Sequence, residues 1–242
     1  MTSPTERYAL ITGAGSGIGK AIALAFARSG VHLVLVGRTL GKLEAVATEA
    51  QVFGVKTECQ VVDLTDLSNL KEKIQAIAQG LPHLDIVINN AGMGHTGNLI
   101  DTTLADWQRV MDLNLTAVFL VIQGVLPTLR SQSASSTILN ISSIAGHQVF
   151  PGWGPYCVSK FGLMALTKAL AQEERSNGIR AMTVSPGSVN TPLWDTDTVD
   201  ADFDRTAMLT PEMVAESVVH AALMPAQAAI EDLILMPNAG TF

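Results

Sequence analysis

Two kinds of segment alternate along the chain. Short apolar runs rich in β-branched residues are separated by longer stretches whose apolar positions recur at helical spacing. The runs predict strands at residues 8–12, 32–36, 57–62, 85–89, 137–142, 180–185 and 232–236. The stretches predict helices at residues 17–29, 41–53, 67–79, 104–126, 156–176 and 211–223. This alternation predicts an α/β fold, a doubly wound parallel sheet of about seven strands with helices on both faces.

Length and composition narrow the class of protein. The 242 residues are enough for one α/β domain, so we expect a single domain over residues 1–242. A net charge of −7 argues against nucleic acid as the main partner. The first residues lack the pattern of a signal peptide, and no apolar run approaches the roughly 20 residues of a membrane span. Cys59 and Cys157 lack metal or redox spacing, so we expect a cytoplasmic protein with reduced thiols.

One irregular stretch, residues 191–210, follows the sixth predicted strand and is rich in Asp, Thr and small residues. Ligands of doubly wound sheets bind beyond the carboxyl ends of the strands. A loop of this length at that place predicts a lid or a substrate wall. The alternative is a disordered acidic surface loop.

A glycine-rich turn, TGAGSGIGKA at residues 12–21, joins the first predicted strand to the first helix. Such turns bind phosphate through backbone N–H groups and the helix N-terminus. A nucleotide-triphosphate loop would need glycine where Ala14 stands and a hydroxyl residue where Ala21 stands, which disfavours it. Ile18 occupies the third glycine position of the G-x-G-x-x-G fingerprint. The spacing that fits is TGxxxGxG, a Rossmann-like dinucleotide turn with Gly13, Gly17 and Gly19.

Tyr156 and Lys160 share one face of a predicted helix, because they are four residues apart. An ammonium group near a phenol favours the phenolate, so the pair is a candidate acid/base. Lowering the tyrosine pKa by about three units requires about 4 kcal/mol of extra stabilisation of the phenolate. One lysine does not supply all of it. An oxidised nicotinamide ring, which is itself a cation, would contribute the rest. Ser143, at the end of the fifth predicted strand, is a candidate donor to a substrate carbonyl.

Six features occur in the order and spacing of the short-chain dehydrogenase/reductase family. They are TGxxxGxG, NNAG at 89–92, Asn114, Ser143, YxxxK at 156–160 and SPG at 185–187. The chain resembles this family from about residue 7 to residue 237. The resemblance is to the type that includes carbonyl reductases and 3-oxoacyl-carrier-protein reductases.

The resemblance implies roles for four catalytic residues. Tyr156 corresponds to the acid/base, and Ser143 to the group that orients and polarises the carbonyl. Lys160 corresponds to the residue that binds the nicotinamide ribose and lowers the tyrosine pKa. Asn114 corresponds to the residue that holds a proton-relay water. No metal is implied.

The end of the second predicted strand indicates which nicotinamide is used. An acidic residue there binds the ribose hydroxyls of NAD, whereas an arginine accommodates the 2′-phosphate of NADP. Here Gly37 takes the acidic position and Arg38 follows, which predicts NADP(H) rather than NAD(H), unless Arg38 is an ordinary solvated residue. The resemblance places Thr12, Gly13, Ser16, Gly17, Ile18, Gly19, Asp63, Leu64, Asn90, Ala91, Gly92, Pro186, Gly187, Val189 and Thr191 around the cofactor, with Tyr156 and Lys160.

The candidate substrate residues lie beside the catalytic groups. They are Ser143, His147, Phe150, Trp153, Ser188 and Trp194, with His95 as a further candidate. The apolar members suit a hydrophobic carbonyl compound, whereas His95 and His147 are alternatively loop histidines without a catalytic role. The flanking stretches carry little positive charge and residues 195–204 are acidic, which favours a small-molecule ketone over an acidic carrier protein.

The predicted function is hydride transfer between NADP(H) and a ketone or secondary alcohol, with tyrosine as the acid/base. One alternative is 3-oxoacyl-carrier-protein reduction. Another is a catalytically silent NADP-binding sensor or scaffold, because a fold does not imply a function. Residues 113–126 are apolar nearly all round, more than one sheet-facing stripe requires, so we expect a homodimer or homotetramer.

Overall fold

A seven-stranded parallel sheet forms the centre of the computed structural model, which describes residues 6–132, 135–201 and 204–240. The strand order is β3-β2-β1-β4-β5-β6-β7. The strands are β1 Tyr8–Thr12, β2 His32–Gly37, β3 Thr57–Val61, β4 Ile86–Asn89, β5 Ser136–Ile141, β6 Ile179–Pro186 and β7 Asp232–Leu235. The helices are α1 Gly17–Arg28, α2 Leu40–Gln51, α3 Leu70–Gly80, α4 Leu104–Met111, α5 Ala117–Ser131, α6 Gly154–Glu174 and α7 Pro211–Ala222.

The predicted fold class is confirmed, and each strand begins and ends within one residue of its predicted bounds. The order in which the chain adds strands to the sheet reverses between β1 and β4, which are parallel, hydrogen-bonded neighbours. In doubly wound sheets a ligand binds in the crevice at such a reversal, beyond the carboxyl ends of the strands. The loops after β1 and β4 therefore define where a site is expected.

Helices cover both faces of the sheet, and β1 contributes to both layers of the core. Ile11 packs in one apolar cluster with Phe26 of α1, whereas Leu10 packs in the opposite cluster with Leu129 of α5. Successive residues of a strand point to opposite faces, so one fully buried strand supports two layers. This packing leaves the carboxyl ends of the strands, with their loops, as the accessible edge.

The predicted helix at 104–126 is longer than expected and interrupted. A π-helical turn, Asp112–Thr116, joins α4 to α5, and the helical segment continues to residue 131. Within the described residues, Leu104–Ser131 is the one helix long and apolar enough to cross a membrane by length and composition, with a mean hydropathy of 1.7 over an 18-residue window. The expectation that no apolar segment approaches that length is therefore wrong. Val125 and Leu129 are buried against the sheet, and the core helix of a soluble protein passes the same test.

The described parts of the 191–210 loop are packed against the segment that follows β4. They contain two short 3₁₀ turns, Pro192–Asp195 and Arg205–Ala207, while residues 202 and 203 lie outside the described residues. The Thr198 hydroxyl donates to the Gly94 carbonyl at 2.8 Å, and the Asp200 N–H donates to Thr96 Oγ1 at 2.7 Å. For the described part of the 191–210 loop, these bonds favour the predicted substrate wall over the alternative of a disordered surface loop.

Candidate active site

The glycine-rich turn between β1 and α1 has the shape of a phosphate cradle. Gly13 and Gly17 have φ angles of +66° and +52°, a region that side chains with a Cβ rarely adopt. A Cβ on Gly19 would lie 2.2 Å from the Gly13 carbonyl oxygen, so only glycine fits there. Ser16 is the N-cap of α1, and the first turn of that helix carries no acidic residue. The helix N-terminus and the turn are thus suited to an anion such as a dinucleotide pyrophosphate.

Thr12 and Asn90 tie this turn to the end of β4. Thr12 Oγ1 accepts the N–H groups of Asn90 at 3.0 Å and Ala91 at 3.2 Å. In return, Asn90 Nδ2 donates to the carbonyl oxygens of Thr12 at 3.0 Å and Gly13 at 3.3 Å. Four hydrogen bonds therefore join the two loops on either side of the strand-order reversal.

Asn114 lies in the π-helical turn and is 1% exposed. Its Oδ1 accepts the Met93 N–H at 2.9 Å, and its Nδ2 donates to the Met93 carbonyl at 2.9 Å and to Ser159 Oγ at 3.1 Å. Ser159 in turn donates to the Tyr156 carbonyl at 2.7 Å. A π turn inserts one residue into a helix and is frequent at functional sites. Here the side chain at its centre links the loop after β4 to α6.

Tyr156, Ser143 and Lys160 come together between the end of β5 and the start of α6. Burial raises the pKa of Tyr156 to about 12, and a hydrogen bond with Ser143 partly offsets this. Lys160 Nζ lies 5.6 Å from the Tyr156 ring centroid and donates to the Ile141 carbonyl at 2.9 Å. Burial lowers the pKa of Lys160 to about 8. The direction for Tyr156 is opposite to the lowering that the Tyr–Lys pairing predicts, because desolvation of the phenol outweighs its partners in the chain alone.

Gly92 lies against two of these groups. A Cβ on Gly92 would approach Asn114 Oδ1 to 3.2 Å and Lys160 Nζ to 3.8 Å. The NNAG segment thus passes beside both the asparagine and the lysine. This proximity places the glycine turn, the β4 loop and the catalytic candidates at one edge of the sheet.

The far end of the candidate cofactor site is exposed. Arg38 follows β2, and Asp63 follows β3, the neighbouring strand. Hydrogen bonds from the Thr65 hydroxyl and N–H, at 2.7 and 2.9 Å, lower the pKa of Asp63, and the Arg38 charge adds to this effect. Arg38 and Asp63 therefore form a polar surface at the place where an adenosine ribose is expected.

The remaining predicted cofactor residues lie at the same edge of the sheet. Thr191 side-chain atoms lie 3.4 Å from the position of a Cβ on Gly17, so the loop after β6 covers the glycine turn. A Cβ on Gly187 would lie 2.7 Å from Pro237 Cδ. Pro186 ends β6, Ile18 is in the first turn of α1, and Leu64 and Val189 are buried.

An aromatic wall stands beside Tyr156. Trp153 meets the Tyr156 ring edge to face at a centroid distance of 5.4 Å and Trp194 at 5.9 Å. Trp194 Nε1 donates to the Val189 carbonyl at 2.7 Å. Phe150 is half-buried in the loop between Ser143 and Trp153. Of the predicted substrate residues, Trp153 packs on the Tyr156 ring, Ser143 is hydrogen-bonded to Tyr156, and Trp194 packs on the Trp153 ring.

Ser188 and the two histidines have other surroundings. The Ser188 hydroxyl is buried and has no hydrogen-bond partner within the described residues. His147 Nε2 lies 3.0 Å from Ser185 Oγ of β6 and 3.5 Å from Asp232 Oδ2 of β7. This nitrogen therefore contacts both strands. A hydrogen bond from Thr103, with a smaller contribution from the charge of His95, lowers the pKa of Asp106, so His95 lies near α4. Their roles stay predictions.

Sequence reasoning did not identify the partners that immobilise Asn114. Met93 is 21 residues away and Ser159 is 45 residues away, so no spacing rule joins them to Asn114. In the described part of the chain, no group of three or more His, Cys, Asp or Glu side chains is arranged to hold a metal ion.

Comparisons with known proteins agree with this geometry. The model of the short chain dehydrogenase family matches residues 7–202. The chain is 36% identical over 238 residues to a sepiapterin reductase of Chlorobaculum tepidum, with 96% of each chain covered. An alcohol dehydrogenase from the archaeon Thermococcus sibiricus, complexed with 5-hydroxy-NADP, superposes with a TM-score of 0.87 at 26% identity, covering 96% of this chain and 97% of that one. An actinorhodin polyketide ketoreductase with NADPH gives a TM-score of 0.87 at 28% identity over the whole of both chains.

Proposed function

The chain belongs to the short chain dehydrogenase family of oxidoreductases, and on that premise we propose that it is an NADP(H)-preferring reductase of small, apolar ketones. The observation that carries the proposal is the cluster of Ser143, Tyr156 and Lys160 beside the glycine turn. The same residues would oxidise the corresponding secondary alcohol in the reverse direction.

Tyr156 is the proposed proton donor. With a pKa raised to about 12, the phenol keeps its proton at neutral pH and has it available for the carbonyl oxygen during reduction. Ser143, which is hydrogen-bonded to Tyr156, would orient the same oxygen. The nicotinamide supplies the hydride when it is bound. General acid catalysis of this kind contributes about 10²–10⁴-fold to the rate.

Lys160 and Asn114 would position the cofactor and resupply the proton. The Lys160 ammonium has a pKa of about 8, so most molecules carry its charge at neutral pH beside the Tyr156 ring. Lys160 is held by the Ile141 carbonyl, and Asn114 is held by Met93 and Ser159. Groups fixed in this way need little reorganisation during the reaction.

NADP(H) is the proposed cofactor because Gly37 occupies the position of the carboxylate that binds the ribose hydroxyls of NAD, and Arg38, the next residue, offers a positive charge to a 2′-phosphate. The glycine turn, with Ser16 and Gly17 at the N-terminus of α1, would hold the pyrophosphate. Two of the similar solved structures contain NADP-type ligands, which supports this choice.

The substrate is proposed to be small and apolar because Trp153 packs on the Tyr156 ring and Trp194 packs on Trp153, which gives that side of the site an aromatic lining. The described part of the 191–210 loop adds Asp195, Asp197 and Asp200 to that side of the molecule, so an acidic carrier protein would meet like charge. A relative named as a reductase and another named as an alcohol dehydrogenase support the reaction class.

A panel of ketones, assayed with NADPH by the loss of nicotinamide absorbance, tests the proposal. We expect turnover of small apolar ketones and weak turnover of a 3-oxoacyl group on its carrier protein. A preference for the carrier-bound substrate would instead support the acyl-carrier reductase. Tight NADPH binding without turnover across the panel would support a silent sensor.

Assembly is proposed to use the outer faces of α5 and α6. Phe119, Val158 and Phe161 are each more than 40% exposed there. Large apolar side chains are rarely left exposed in number, so we propose that a second copy of the chain covers these three. We expect sedimentation at micromolar concentration to show a dimer or tetramer and Phe161→Arg to weaken it. A monomeric wild type would contradict this proposal.

A further inference from the structure

A cavity of about 260 Å³ lies at the amino-terminal edge of the sheet, opposite the candidate active site. Its walls come from the residue before β1, the starts of β4, β5 and β6, and the segment that follows α7. Two arginines line it, Arg7 and Arg180, together with Asp85 and Thr137. None of these side chains belongs to the catalytic or cofactor residues described above.

Arg180 is a half-buried cation without a carboxylate partner. Its guanidinium donates to the carbonyl oxygens of Ala228 at 2.7 Å and Met224 at 3.0 Å, and to Thr137 Oγ1 at 2.8 Å. Its Nε is buried and has no hydrogen-bond partner among the described residues. Arg205, the other half-buried arginine of the described chain, is paired with Asp195. Buried charges are normally paired, so Arg180 lacks a counter-ion.

The remaining charges around the cavity leave it positive. Arg7 is close enough for its charge to help lower the pKa of Arg180, after the larger effect of burial. Within residues 6–132, 135–201 and 204–240, no carboxylate forms an ion pair with Arg7. Asp85 is engaged elsewhere, because its Oδ2 accepts the Tyr8 N–H at 2.9 Å and its Oδ1 lies 3.1 Å from His83 Nε2.

We propose that this cavity is a second ligand site, which binds a small oxyanion, a phosphate or a carboxylate, between Arg7 and Arg180. Such an anion would neutralise two neighbouring guanidinium groups that have no carboxylate partner within the described residues. Planar guanidinium groups bind these oxyanions well, because their N–H donors match the spacing of the oxygens. The contacts of Arg180 with Ala222 and Met224, where α7 ends, connect the site to that helix.

Inorganic phosphate and acetate, each at ionic strength matched with chloride, are the probes. The full-length protein is first saturated with NADPH, so that the glycine turn and Arg38 are occupied. Isothermal titration should then show saturable binding at one site per chain for at least one probe, and the Tm should rise with probe concentration. The absence of saturable binding by both probes would overturn the proposal.

Arg7→Gln is the decisive variant, because the hydrogen bond that Arg7 makes within the described chain comes from its backbone carbonyl, so loss of the exposed side chain should spare the fold. We expect it to weaken binding about tenfold, the effect of losing one charge-assisted hydrogen bond. Arg28→Gln makes the same change on an exposed arginine that does not line the cavity, and should leave binding unchanged.

Arg180→Lys keeps the charge but removes the guanidinium, and it should also weaken binding. If this variant does not fold, Arg7→Gln alone decides. Binding that survives Arg7→Gln but disappears in Arg38→Leu would assign the anion to the cofactor site and overturn the proposal.

Discussion

The two ends of the proposed cofactor site differ in their exposure to water. At the catalytic end, Lys160 is 5% exposed and Asn114 is 1% exposed, and both are held by backbone hydrogen bonds. At the adenosine end, Arg38 and Asp63 are exposed. Burial shifts the pKa of Tyr156 to about 12 and that of Lys160 to about 8, whereas hydrogen bonds from Thr65 dominate the lowering at Asp63.

This difference in exposure determines where the substitution of a single side chain has a large effect on activity or stability. Charges interact strongly where water is excluded and weakly where solvent screens them. At the catalytic end, a few buried groups therefore have large electrostatic interaction energies, and their burial lowers the free energy of unfolding. The adenosine end contributes recognition through a single exposed cation. Three substitutions test this contrast, in order of decreasing expected effect.

Tyr156→Phe should have the largest effect. The variant keeps the ring that packs against Trp153 but loses the proton donor. We expect kcat to fall by at least about 10²–10⁴-fold, with NADPH affinity and folding nearly unchanged. Tyr8→Phe removes the same oxygen far from the site and should leave kcat unchanged. Ketone reduction by Tyr156→Phe at the wild-type rate would refute the proposed chemistry.

Lys160→Met should lower kcat by less than Tyr156→Phe does and weaken NADPH binding, while making the fold more stable at neutral pH. The folded pKa of about 8 lies below the ordinary 10.5, so the unfolded chain binds more protons between these values. Wild-type stability relative to the variant should thus rise from about pH 8 to about pH 10.5 and then level off. At pH 7 we expect the variant to gain about 1–2 kcal/mol, after subtracting the lost bond to Ile141.

Denaturant unfolding at several pH values measures this difference. Lys168→Met makes the same change at an exposed position of α6 and serves as the matched control. If the difference in free energy of unfolding between wild type and Lys160→Met does not depend on pH, burial does not shift the pKa of this lysine.

Arg38→Leu should have the smallest effect, confined to one cofactor. Losing a charge-assisted bond to the 2′-phosphate should raise the KM for NADPH about 10- to 100-fold, an effect of roughly 1.5–3 kcal/mol. NADH has no such phosphate, so its KM should hardly change. Arg28→Leu is the matched exposed control. An equal rise in KM for NADPH and NADH would mean that Arg38 supports the fold and does not recognise the phosphate.

The local pattern of apolar residues was sufficient to predict the strands of the sheet, but it did not predict the contacts between elements that are far apart in the sequence. Continuous apolar runs bounded by turns predicted all seven strands, because a strand buried on both faces leaves that pattern in a single segment. The glycine turn was equally predictable, since Gly13 and Gly19 serve a local backbone geometry. The π-helical turn was missed, because its five residues, DLNLT, have no distinctive periodicity.

The candidate site was only partly predictable for the same reason. The spacing of Tyr156 and Lys160 predicted their shared helix face. The attachment of Asn114 to Met93 and Ser159 depends on how the β4 loop packs on α6, which no local spacing encodes. Desolvation of Tyr156 is also a property of the whole fold, and the direction of its pKa shift could not be read from neighbouring residues.

The π-helical turn at Asp112–Thr116 imposes a constraint on insertions and deletions. An α-helix advances about 100° per residue, so deleting one residue from this turn would rotate either α4 or α5 by that angle relative to the other. Val121 and Val125, which face the sheet, would then leave the core, or Asn114 would leave Met93. The segment 104–131 therefore tolerates substitution more readily than any change in its length, and gaps in alignments of related chains are expected outside it.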